Sequence, residues 1–468
     1  MPNSPNVTLE PVRVAIIGSG PAAFYAAEHL LKSPRVTAAV DLFDRLPTPF
    51  GLVRGGVAPD HQKIKNVTKV FEQIAKHPRF RFFGNVEFGT HLNLADLRAR
   101  YHQVLFATGA QTDRRMNIPG EDLRGSHPAT EFVAWYNGHP DFRNCRFDLS
   151  QERVAVVGIG NVAIDVARIL SLSPDELAAT DIADHALAAL RQSRVKEVYL
   201  LGRRGPAQAA FSTPEIRELG EMRDADVLTV AGEVALDELS RAEIAQANDP
   251  ALAKKIEILQ AYARHQPSGK ARTLHVRFLV SPVELLGDAN GQIIKMRLVK
   301  NVLTQTATGN LAAQATDQFE ELPVGLVFRS VGYRGVPLPD VPFNERAGTL
   351  ANIQGRVIDP ATQQPLTGLY TAGWIKRGPS GVIGTNKPDA VETANAMLED
   401  AERGATFQPA DADAARAEYL IRERQPHYFS FADWLALDTL EVARGKAQGR
   451  PRVKFTSVAE MRAVLGRA

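Results

Sequence analysis

The sequence predicts an α/β protein that contains two Rossmann-like units. Two segments each combine a β-rich run, a glycine turn and a helical pattern: VRVAIIGSGPAAFYAAEHLLK, and later ERVAVVGIGNVAIDVARILS. This order of strand, turn and helix gives the glycine motif its meaning. The chain has 468 residues, which is enough for two or three domains with cores of their own.

Composition and charge exclude several classes of protein. The net charge of +2 provides no global field for nucleic acid, and we expect no nucleic-acid partner. Cys145 is the one cysteine, so a disulfide framework, a zinc cluster and a protein-bound iron–sulfur cluster are excluded, and we expect no metal. No apolar run reaches the roughly 18 residues of a membrane span. We therefore expect a cytoplasmic protein without membrane insertion.

The first glycine turn predicts a loop that binds a diphosphate. The run VRVAII meets GSG and then a helical pattern, in the order G-x-G-x-x-A. Gly18 permits the turn, Gly20 lets the backbone approach a diphosphate, and Ala23 allows close packing of helix and strand. The helix N-terminus faces the diphosphate. The next β-rich run ends at Asp44, where an acid accepts hydrogen bonds from ribose hydroxyls.

The second glycine turn is followed by a different residue pattern. The strand after its helix, in VKEVYLLGRRGPAQAAF, ends in Gly202, Arg203 and Arg204 rather than in an acid. A carboxylate at this place would repel a 2′-phosphate, whereas arginine forms bidentate, charge-assisted bonds to one. The second unit is therefore predicted to bind NADP(H), not NAD(H). Two such units predict two dinucleotides, a bound flavin and an exchanging nicotinamide.

Five further segments carry a resemblance to a known family: PTPFGLVRGGVAPDHQKIKNV, GNVAIDVARIL, GRRGPAQAAF, GWIKRGPSGVIGTNKPDA and FADWLALDTLEVARGKAQGRPR. Together they resemble the adrenodoxin-reductase-like ferredoxin–NADP⁺ reductases, and GTNKPDA is more similar to the bacterial branch. The resemblance extends from the first strand to the last helix. It implies an FAD enzyme that moves a hydride between NADP(H) and flavin N5. Single electrons then pass between the flavin and a ferredoxin-type iron–sulfur protein.

The resemblance also implies an interrupted layout of domains. Residues 1–109 and 331–468 would form the FAD domain, and residues 110–330 would form the NADP domain inserted into it. The segment GLVFRSVGYRG agrees with a strand and crossover that return the chain to the FAD domain.

The resemblance assigns residues to the flavin. Gly51 and Leu52 would lie along it, Val86 would touch the adenosine part, and Trp374 would lie close to the isoalloxazine. The backbone of residues 381–383 would hold the ring edge. The alternative is that GPSG, before Val382, is only a turn. The full predicted FAD set is Gly18, Gly20, Ala22, Asp44, Gly51, Leu52, Val86, Trp374, Gly381, Val382 and Ile383.

A second set of residues is implied for NADP(H). The second glycine turn would meet the diphosphate, the arginine pair the 2′-phosphate, and Glu215 the nicotinamide amide. The alternative for Glu215 is a carboxylate that only stabilises a helix start beside Pro214. The full predicted NADP set is Gly160, Asn161, Val162, Arg203, Arg204, Glu215 and Gly381.

The catalytic candidates are His61, Asp165 and Glu215. Hydride transfer needs no general acid or base, so these groups would orient and tune rather than react. His61 matches a family histidine near the flavin, and Asp165 could pair with it across the domains. The alternatives are a surface or capping histidine and an ordinary helix aspartate.

The expected partner is an acidic ferredoxin-type protein. The stretch 251–280 carries six basic residues and one acid, and Arg217 lies at a family-like docking position. The predicted docking residues are Arg217, Lys254 and Lys255. The alternative is that these charges only form a solvated face.

Two other functions stay open from the sequence alone. One is a two-dinucleotide NADPH oxidoreductase with a different acceptor, similar to the small subunit of glutamate synthase. The other is a non-catalytic redox sensor that holds both nucleotides without turnover. The intact GPSGVIGTN segment and the arginine pair argue against a sensor.

Overall fold

The computed structural model of the protein describes residues 10–467. Its strands, in chain order, are β1 (Val12–Ile17), β2 (Ala38–Asp44), β3 (Phe80–Gly84), β4 (Gln103–Phe106), β5 (Thr112–Asp113), β6 (Ser126–Pro128), β7 (Arg153–Val157), β8 (Glu197–Leu201), β9 (Ala225–Thr229), β10 (Arg272–Arg277), β11 (Val280–Gly287), β12 (Ile293–Gln305), β13 (Leu311–Leu322), β14 (Leu326–Arg329), β15 (Tyr333–Arg334), β16 (Phe343–Asn344), β17 (Thr349–Leu350), β18 (Asn352–Ile353), β19 (Arg356–Ile358) and β20 (Pro365–Thr371).

The helices follow in the same order. They are α1 (Pro21–Lys32), α2 (Leu52–Gly55), α3 (Gln62–Lys65), α4 (Thr68–Ala75), α5 (Leu94–Arg98), α6 (Ala129–Tyr136), α7 (Asn161–Ser171), α8 (Pro174–Ala178), α9 (Asp184–Leu190), α10 (Thr213–Leu219), α11 (Ala231–Val234), α12 (Glu238–Ala247), α13 (Pro250–Tyr262), α14 (Trp374–Arg377), α15 (Asn386–Glu402), α16 (Ala414–Arg424), α17 (Phe431–Lys446) and α18 (Val458–Val464). Within the described residues, no helix is both long and apolar enough to cross a membrane.

The first sheet has seven strands in the order β18-β19-β20-β4-β1-β2-β3. The five strands from β20 to β3 are parallel, and β18 and β19 extend the sheet as an antiparallel edge. Strand β1 is buried on both faces: Val14 and Ile16 pack in the core that holds α1 and α15, while Ala15 and Ile17 face a second core. The strand order reverses at β1, where parallel sheets bind ligands beyond the carboxyl ends of the strands.

The second sheet has six parallel strands in the order β6-β14-β7-β8-β10-β9. Its strand order reverses at β7, which lies between β14 and β8 and leads into α7. All six strands come between β4 and β18 in the chain. The fold class is therefore confirmed as α/β with two Rossmann-like cores. The domain boundaries at residues 109/110 and 330/331 stay a prediction.

An antiparallel sheet of β11, β12 and β13 packs on the second parallel sheet. Its inner residues share a core with Ala155, Val157 and Leu201, the side chains of β7 and β8 that point away from the helices. The sequence motifs described above do not indicate this sheet. It covers one face of the second parallel sheet. Parallel sheets need such cover, because they are normally buried on both faces.

Buried ion pairs join the part of the chain built on the first sheet to the part built on the second. Oδ1 of Asp181 lies 2.7 Å from the ammonium nitrogen of Lys65 and 3.4 Å from that of Lys454. The guanidinium of Arg450 donates to the backbone carbonyls of Thr180 and Ile182. The segment after α17 thus contacts the second part through buried polar groups.

Candidate active site and nucleotide-binding loops

The first glycine turn has the geometry that the sequence predicts. Gly18 has φ +102°, and a Cβ there would lie 2.5 Å from the carbonyl oxygen of Ala107, so only glycine fits. A Cβ on Gly20 would meet no protein atom within 4 Å. Helix α1 begins directly after Gly20 without a side-chain cap. Open space beside free amides at a helix N-terminus fits a diphosphate.

Asp44 lies at the end of β2, beside this turn. Its carboxylate accepts hydrogen bonds from the Ser19 amide at 2.9 Å, from the Ser19 hydroxyl and from the Leu46 amide at 2.8 Å. Burial raises the pKa of Asp44 despite these bonds. The backbone carbonyl of Asp44 accepts from the amide of Val86 at 2.8 Å. Both residues therefore lie beside the first turn, and their roles toward an adenosine ribose stay predictions.

Two distant segments converge on the first turn. The amide of Phe50 donates to the Ser19 carbonyl at 3.0 Å, and a Cβ on Gly51 would lie 2.9 Å from Cα of Gly20. A Cβ on Gly373 would lie 2.7 Å from Cβ of Ala22. Glycine at positions 51 and 373 thus allows both segments to approach the turn closely.

The surfaces around this convergence are apolar and open. Leu52 exposes 41% of its surface and Val382 exposes 55%. Ile383 is half-buried against the core beneath α1 and α15. Exposed aliphatic side chains beside an anion-binding turn fit an aromatic ring system joined to a diphosphate, as in FAD.

Trp374 begins α14 and is fixed from two sides. Its ring lies edge-to-face against Tyr333, with centroids 5.7 Å apart, and its Nε1 donates to the Ser380 carbonyl at 3.1 Å. Gly381 follows with φ +79°, where a Cβ would lie 2.3 Å from Oγ1 of Thr385. The segment from Gly378 is therefore a glycine-dependent turn, and the turn itself holds the tryptophan in place. Ligand contacts of Trp374 and Gly381 stay predictions.

The second glycine turn repeats the geometry of the first. Gly158 has φ +134°, and a Cβ there would lie 2.2 Å from the Ser330 carbonyl oxygen. A Cβ on Gly160 would meet no protein atom within 4 Å, and α7 begins after it without a side-chain cap. The side-chain oxygen of Asn161 accepts from the Ser212 amide at 3.0 Å, which ties this turn to the start of α10. Half-buried Val162 follows in the first turn of α7.

The arginine pair lies beside the second turn. Gly202 packs against the side chain of Ile159, where an added Cβ would lie at 2.7 Å. Arg203 is exposed, and Arg204 is half-buried with a 3.4 Å hydrogen bond to the Gln208 carbonyl. Among residues 10–467, no carboxylate forms an ion pair with either guanidinium. Two cations without acidic partners fit an anionic group such as a 2′-phosphate.

The three catalytic candidates meet where the two parts of the chain touch. His61 Nε2 lies 2.9 Å from Oε2 of Glu218 and 3.7 Å from Oε2 of Glu215. His61 Nδ1 lies 3.9 Å from Oδ1 of Asp165, which is too long for a direct hydrogen bond. The structure thus brings the candidates together, but the closest partner of the histidine is Glu218. Sequence reasoning missed Glu218.

Arg168 lies at the centre of this cluster, and sequence reasoning missed it too. Its guanidinium binds Asp60 through Nε at 2.7 Å, Asp165 through Nη2 at 2.8 Å and Glu215 through Nη1 at 3.1 Å. The available signal was the i,i+3 spacing of Asp165 and Arg168 in NVAIDVAR, which places both on one helix face. That spacing gives no indication of Asp60 or Glu215, which are distant in sequence.

Electrostatics differ between the acids of the cluster. Burial raises the pKa of Asp165 to about 6, although the guanidinium of Arg168 opposes the shift. Burial also acts to raise the pKa of Asp60, but the bidentate contact with Arg168 outweighs it and lowers this pKa. One aspartate of the cluster therefore titrates near neutral pH while the other stays ionised.

The atoms of His61, Glu215 and Glu218 lie within 4.8 Å of one another, a spacing that a metal ion could bridge. The guanidinium of Arg168 already contacts Glu215 at 3.1 Å and lies 4.0 Å from Glu218. It supplies the positive charge that a cation would bring. The expectation of no metal stays a prediction.

The predicted docking residues lie in different environments. Arg217 is exposed on α10. Lys254 is exposed and pairs with Glu257 at 2.8 Å. Lys255 is only 7% exposed, and its Nζ donates to the Ala209 carbonyl at 2.6 Å beneath the ring of Phe211. The assignment of Lys255 to a docking surface is therefore wrong, because the helical periodicity of α13 turns this residue inward.

Comparison with known proteins gives full-length relatives. Residues 12–200 match the pyridine nucleotide-disulphide oxidoreductase family. The chain is 47% identical over 462 residues to NADPH-ferredoxin reductase FprA of Mycobacterium tuberculosis, covering 97% of this chain and 99% of that protein. It is 39% identical to the mitochondrial NADPH:adrenodoxin oxidoreductase of Arabidopsis thaliana, covering 96% and 94%. The structure of M. tuberculosis FprA in complex with NADPH superposes with a TM-score of 0.90, at 46% identity over 97% of this chain and 99% of that one.

Proposed function

We propose that this chain, which belongs to the adrenodoxin-reductase-like ferredoxin–NADP⁺ reductases, transfers electrons between NADP(H) and a ferredoxin-type iron–sulfur protein through bound FAD. One observation carries the proposal: two uncapped helix N-termini each follow an open glycine turn, and beside the second lie Arg203 and Arg204, which form no ion pair with any carboxylate of residues 10–467. This asymmetry fits one resident dinucleotide and one that carries a 2′-phosphate.

FAD is held at the first turn in this proposal. The amides after Gly20 bind its diphosphate, and Asp44 with the backbone near Val86 lies along the adenosine. Leu52 and Val382 would provide apolar contact for the ring system, and Trp374 would lie beside it. Support comes from the close approaches of residues 51 and 373 to this turn.

NADP(H) is held at the second turn. Gly160, Asn161 and Val162 provide the diphosphate loop, and Arg203 and Arg204 bind the 2′-phosphate through charge-assisted hydrogen bonds. Glu215 receives the nicotinamide amide, at the point where α10 faces His61 of the other part. Gly381 would lie beside the nicotinamide.

The bound nucleotides supply the redox chemistry: NADPH donates two electrons as a hydride, and FAD passes electrons singly to an iron–sulfur acceptor. The protein orients the two nucleotides and excludes water from the junction between them. His61, Asp165 and Glu215 surround the junction of the two sites and set its charge, while the buried ion pairs of Asp181 hold the two parts together. Orientation by such contacts is the main protein contribution to a hydride transfer.

The partner is an acidic ferredoxin-type protein, which docks against exposed cations including Arg217 and Lys254. Both are exposed, and Arg217 directly precedes Glu218, the partner of His61. Such an interface is expected to be small and salt-sensitive. A cytoplasmic location stays a prediction of the sequence.

The full-length ferredoxin reductases among the relatives favour this function over a glutamate-synthase-like oxidoreductase or a sensor. The test is direct. Mass analysis of the cofactor released from the purified protein should give FAD, and NADPH should bleach the yellow protein much faster than NADH. Release of FMN, or no bleaching by NADPH, would contradict the proposal.

A further inference from the structure

One guanidinium connects three carboxylates from three segments of the chain. Arg168 of α7 makes two hydrogen bonds to Asp60, at 2.7 and 3.2 Å, one to Asp165 at 2.8 Å and one to Glu215 at 3.1 Å. Its side chain is 3% exposed. Asp60 lies before α3 in the part that carries the first sheet, whereas Glu215 lies on α10 in the part that carries the second. Arg168 therefore joins the two parts at the junction of the sites.

Glu215 is held through only one of its two carboxylate oxygens. Arg168 and His61 both approach Oε2, at 3.1 and 3.7 Å. Within residues 10–467, Oε1 accepts no hydrogen bond from another residue. It is also not among the buried polar atoms that lack a partner. The contacts thus hold Oε2 of Glu215 in place and leave Oε1 available to a ligand.

Arginine is suited to this place in a way that lysine is not. A planar guanidinium presents five N–H donors in a fixed fork, so it can serve Asp60, Asp165 and Glu215 together. An ammonium on a flexible stem cannot reach all three in these directions. The buried carboxylates need this charge, because removing one partner of a buried ion pair leaves the others uncompensated.

We propose that Arg168 is a positioning residue that fixes Glu215 against the Asp60–His61 loop and so sets the register of the nicotinamide over the flavin. This proposal rests on the proposed function, because it takes Glu215 as the acceptor of the nicotinamide amide. Arg168 has no role toward the 2′-phosphate, which belongs to Arg203 and Arg204. Its loss should therefore affect the nicotinamide end of the coenzyme and spare the adenosine end.

The test uses Arg168→Lys and Arg168→Gln in the FAD-loaded protein, with Arg450→Gln as the matched control. Arg450 is also a buried arginine that joins the two parts, but it binds carbonyls of residues 180 and 182 instead of this cluster. Four quantities are measured: the dissociation constant of 2′,5′-ADP, the change of the flavin spectrum when NADP⁺ binds, the rate of flavin reduction at saturating NADPH, and the rate of flavin reoxidation by ferricyanide.

We expect Arg168→Gln to slow flavin reduction about tenfold or more and to weaken the spectral change, with 2′,5′-ADP binding within about twofold of wild type. Arg168→Lys should fall between wild type and Arg168→Gln in both the reduction rate and the spectral change. If Arg168→Gln does not fold, the result for Arg168→Lys tests the proposal. Reoxidation by ferricyanide and all properties of folded Arg450→Gln should stay near wild type.

Two results would overturn the proposal. One is wild-type flavin reduction and an unchanged NADP⁺ spectrum in a folded Arg168 variant. The other is a parallel loss of 2′,5′-ADP binding, ferricyanide reoxidation and flavin reduction, which would indicate a purely structural role. If NADPH does not reduce the wild-type flavin at all, the proposed function fails first, and the assignment of Arg168 fails with it.

Discussion

His61 and Glu218 meet across the two parts of the protein, with Nε2 of the histidine 2.9 Å from Oε2 of the glutamate. Asp165, the expected partner of His61, lies 3.9 Å from the other ring nitrogen. The aspartate instead pairs with Arg168, at 2.8 Å. The contact across the parts is therefore a network in which His61 and Asp165 each have a different nearest partner from the one that the sequence suggested.

The first prediction concerns Asp165, whose pKa burial raises to about 6 from an ordinary value of 3.8. A raised folded-state pKa means that this group disfavours the folded state above pH 6, and that stability increases as the pH falls below it. Asp165→Asn removes this titration. The unfolding free energy of the variant minus that of wild type should increase by about 1 kcal/mol from about pH 5 to about pH 7.5, measured by urea unfolding. If this difference is the same at both pH values, the raised pKa of Asp165 is contradicted.

The second prediction concerns Asp181. Burial acts to raise its pKa, but the ammonium groups of Lys454 and Lys65 outweigh burial and lower the pKa to about 2. Because the folded pKa is depressed, this contribution is present above about pH 4 and is lost as the pH falls toward 2. Asp181→Asn should cost about 3 kcal/mol of unfolding free energy near neutral pH, since it leaves two buried cations unpaired.

Asp184→Asn is the control for Asp181→Asn. Its carboxylate also pairs across the parts, with Arg450, but its side chain is 60% exposed. The control should therefore lose less than about 1 kcal/mol in the same urea titration. Equal losses in the two variants would show that the buried position of Asp181 has no special weight.

The third prediction concerns coenzyme choice. Arg203 and Arg204 should each contribute about 1–3 kcal/mol through charge-assisted bonds to the 2′-phosphate. Replacing both by glutamine should raise KM for NADPH about a hundredfold and leave KM for NADH nearly unchanged, in steady-state assays with ferricyanide. If KM rises equally for both coenzymes, the pair supports the loop and not the selection of NADP(H).

The fourth prediction concerns partner docking. Arg217→Glu and Lys254→Glu should raise KM for an acidic ferredoxin severalfold, because docking of this kind is steered by charge. The wild-type rate should fall as salt rises from roughly 0.01 M to roughly 0.1 M. Lys300→Glu, an exposed lysine on β12, should leave KM unchanged. Normal ferredoxin kinetics in both docking variants at low salt would mean that the partner binds elsewhere.

The fifth prediction separates two neighbouring lysines. Lys255→Glu should lower stability by about 2 kcal/mol or more, because it puts a carboxylate beside the Ala209 carbonyl in a buried site. Lys254→Glu, one position earlier and exposed, should change stability by less than about 1 kcal/mol. Thermal unfolding of both variants is the measurement. Equal stability would contradict the buried environment of Lys255.

The features that the sequence predicts are local. Gly18 and Gly158 are recognisable because a tight turn between a strand and a helix demands glycine, and Arg203 and Arg204 because they follow the end of strand β8. Each of these signals needs only its own segment. The two turns and the arginine pair therefore lie where the sequence predicts them.

The features that sequence reasoning missed depend on distant segments. Arg168 acts on Asp60 and Glu215, which no spacing connects to it. The strands β11–β13 follow neither of the two glycine turns, so no motif in the sequence indicates their sheet. The buried side of α13 that holds Lys255 depends on what packs against that helix. Charge alone predicted a docking lysine there, and tertiary packing decided otherwise.

Electron transfer from NADPH through FAD to a ferredoxin can be followed in a single anaerobic experiment. The FAD-loaded protein is mixed with NADPH without oxygen, the loss of flavin absorbance is followed, and an oxidised ferredoxin is then added. We expect rapid bleaching by NADPH, little bleaching by NADH, and then return of the flavin colour as the ferredoxin becomes reduced. Bleaching without any reduction of ferredoxins would show that the acceptor is a different molecule and would contradict the proposed function.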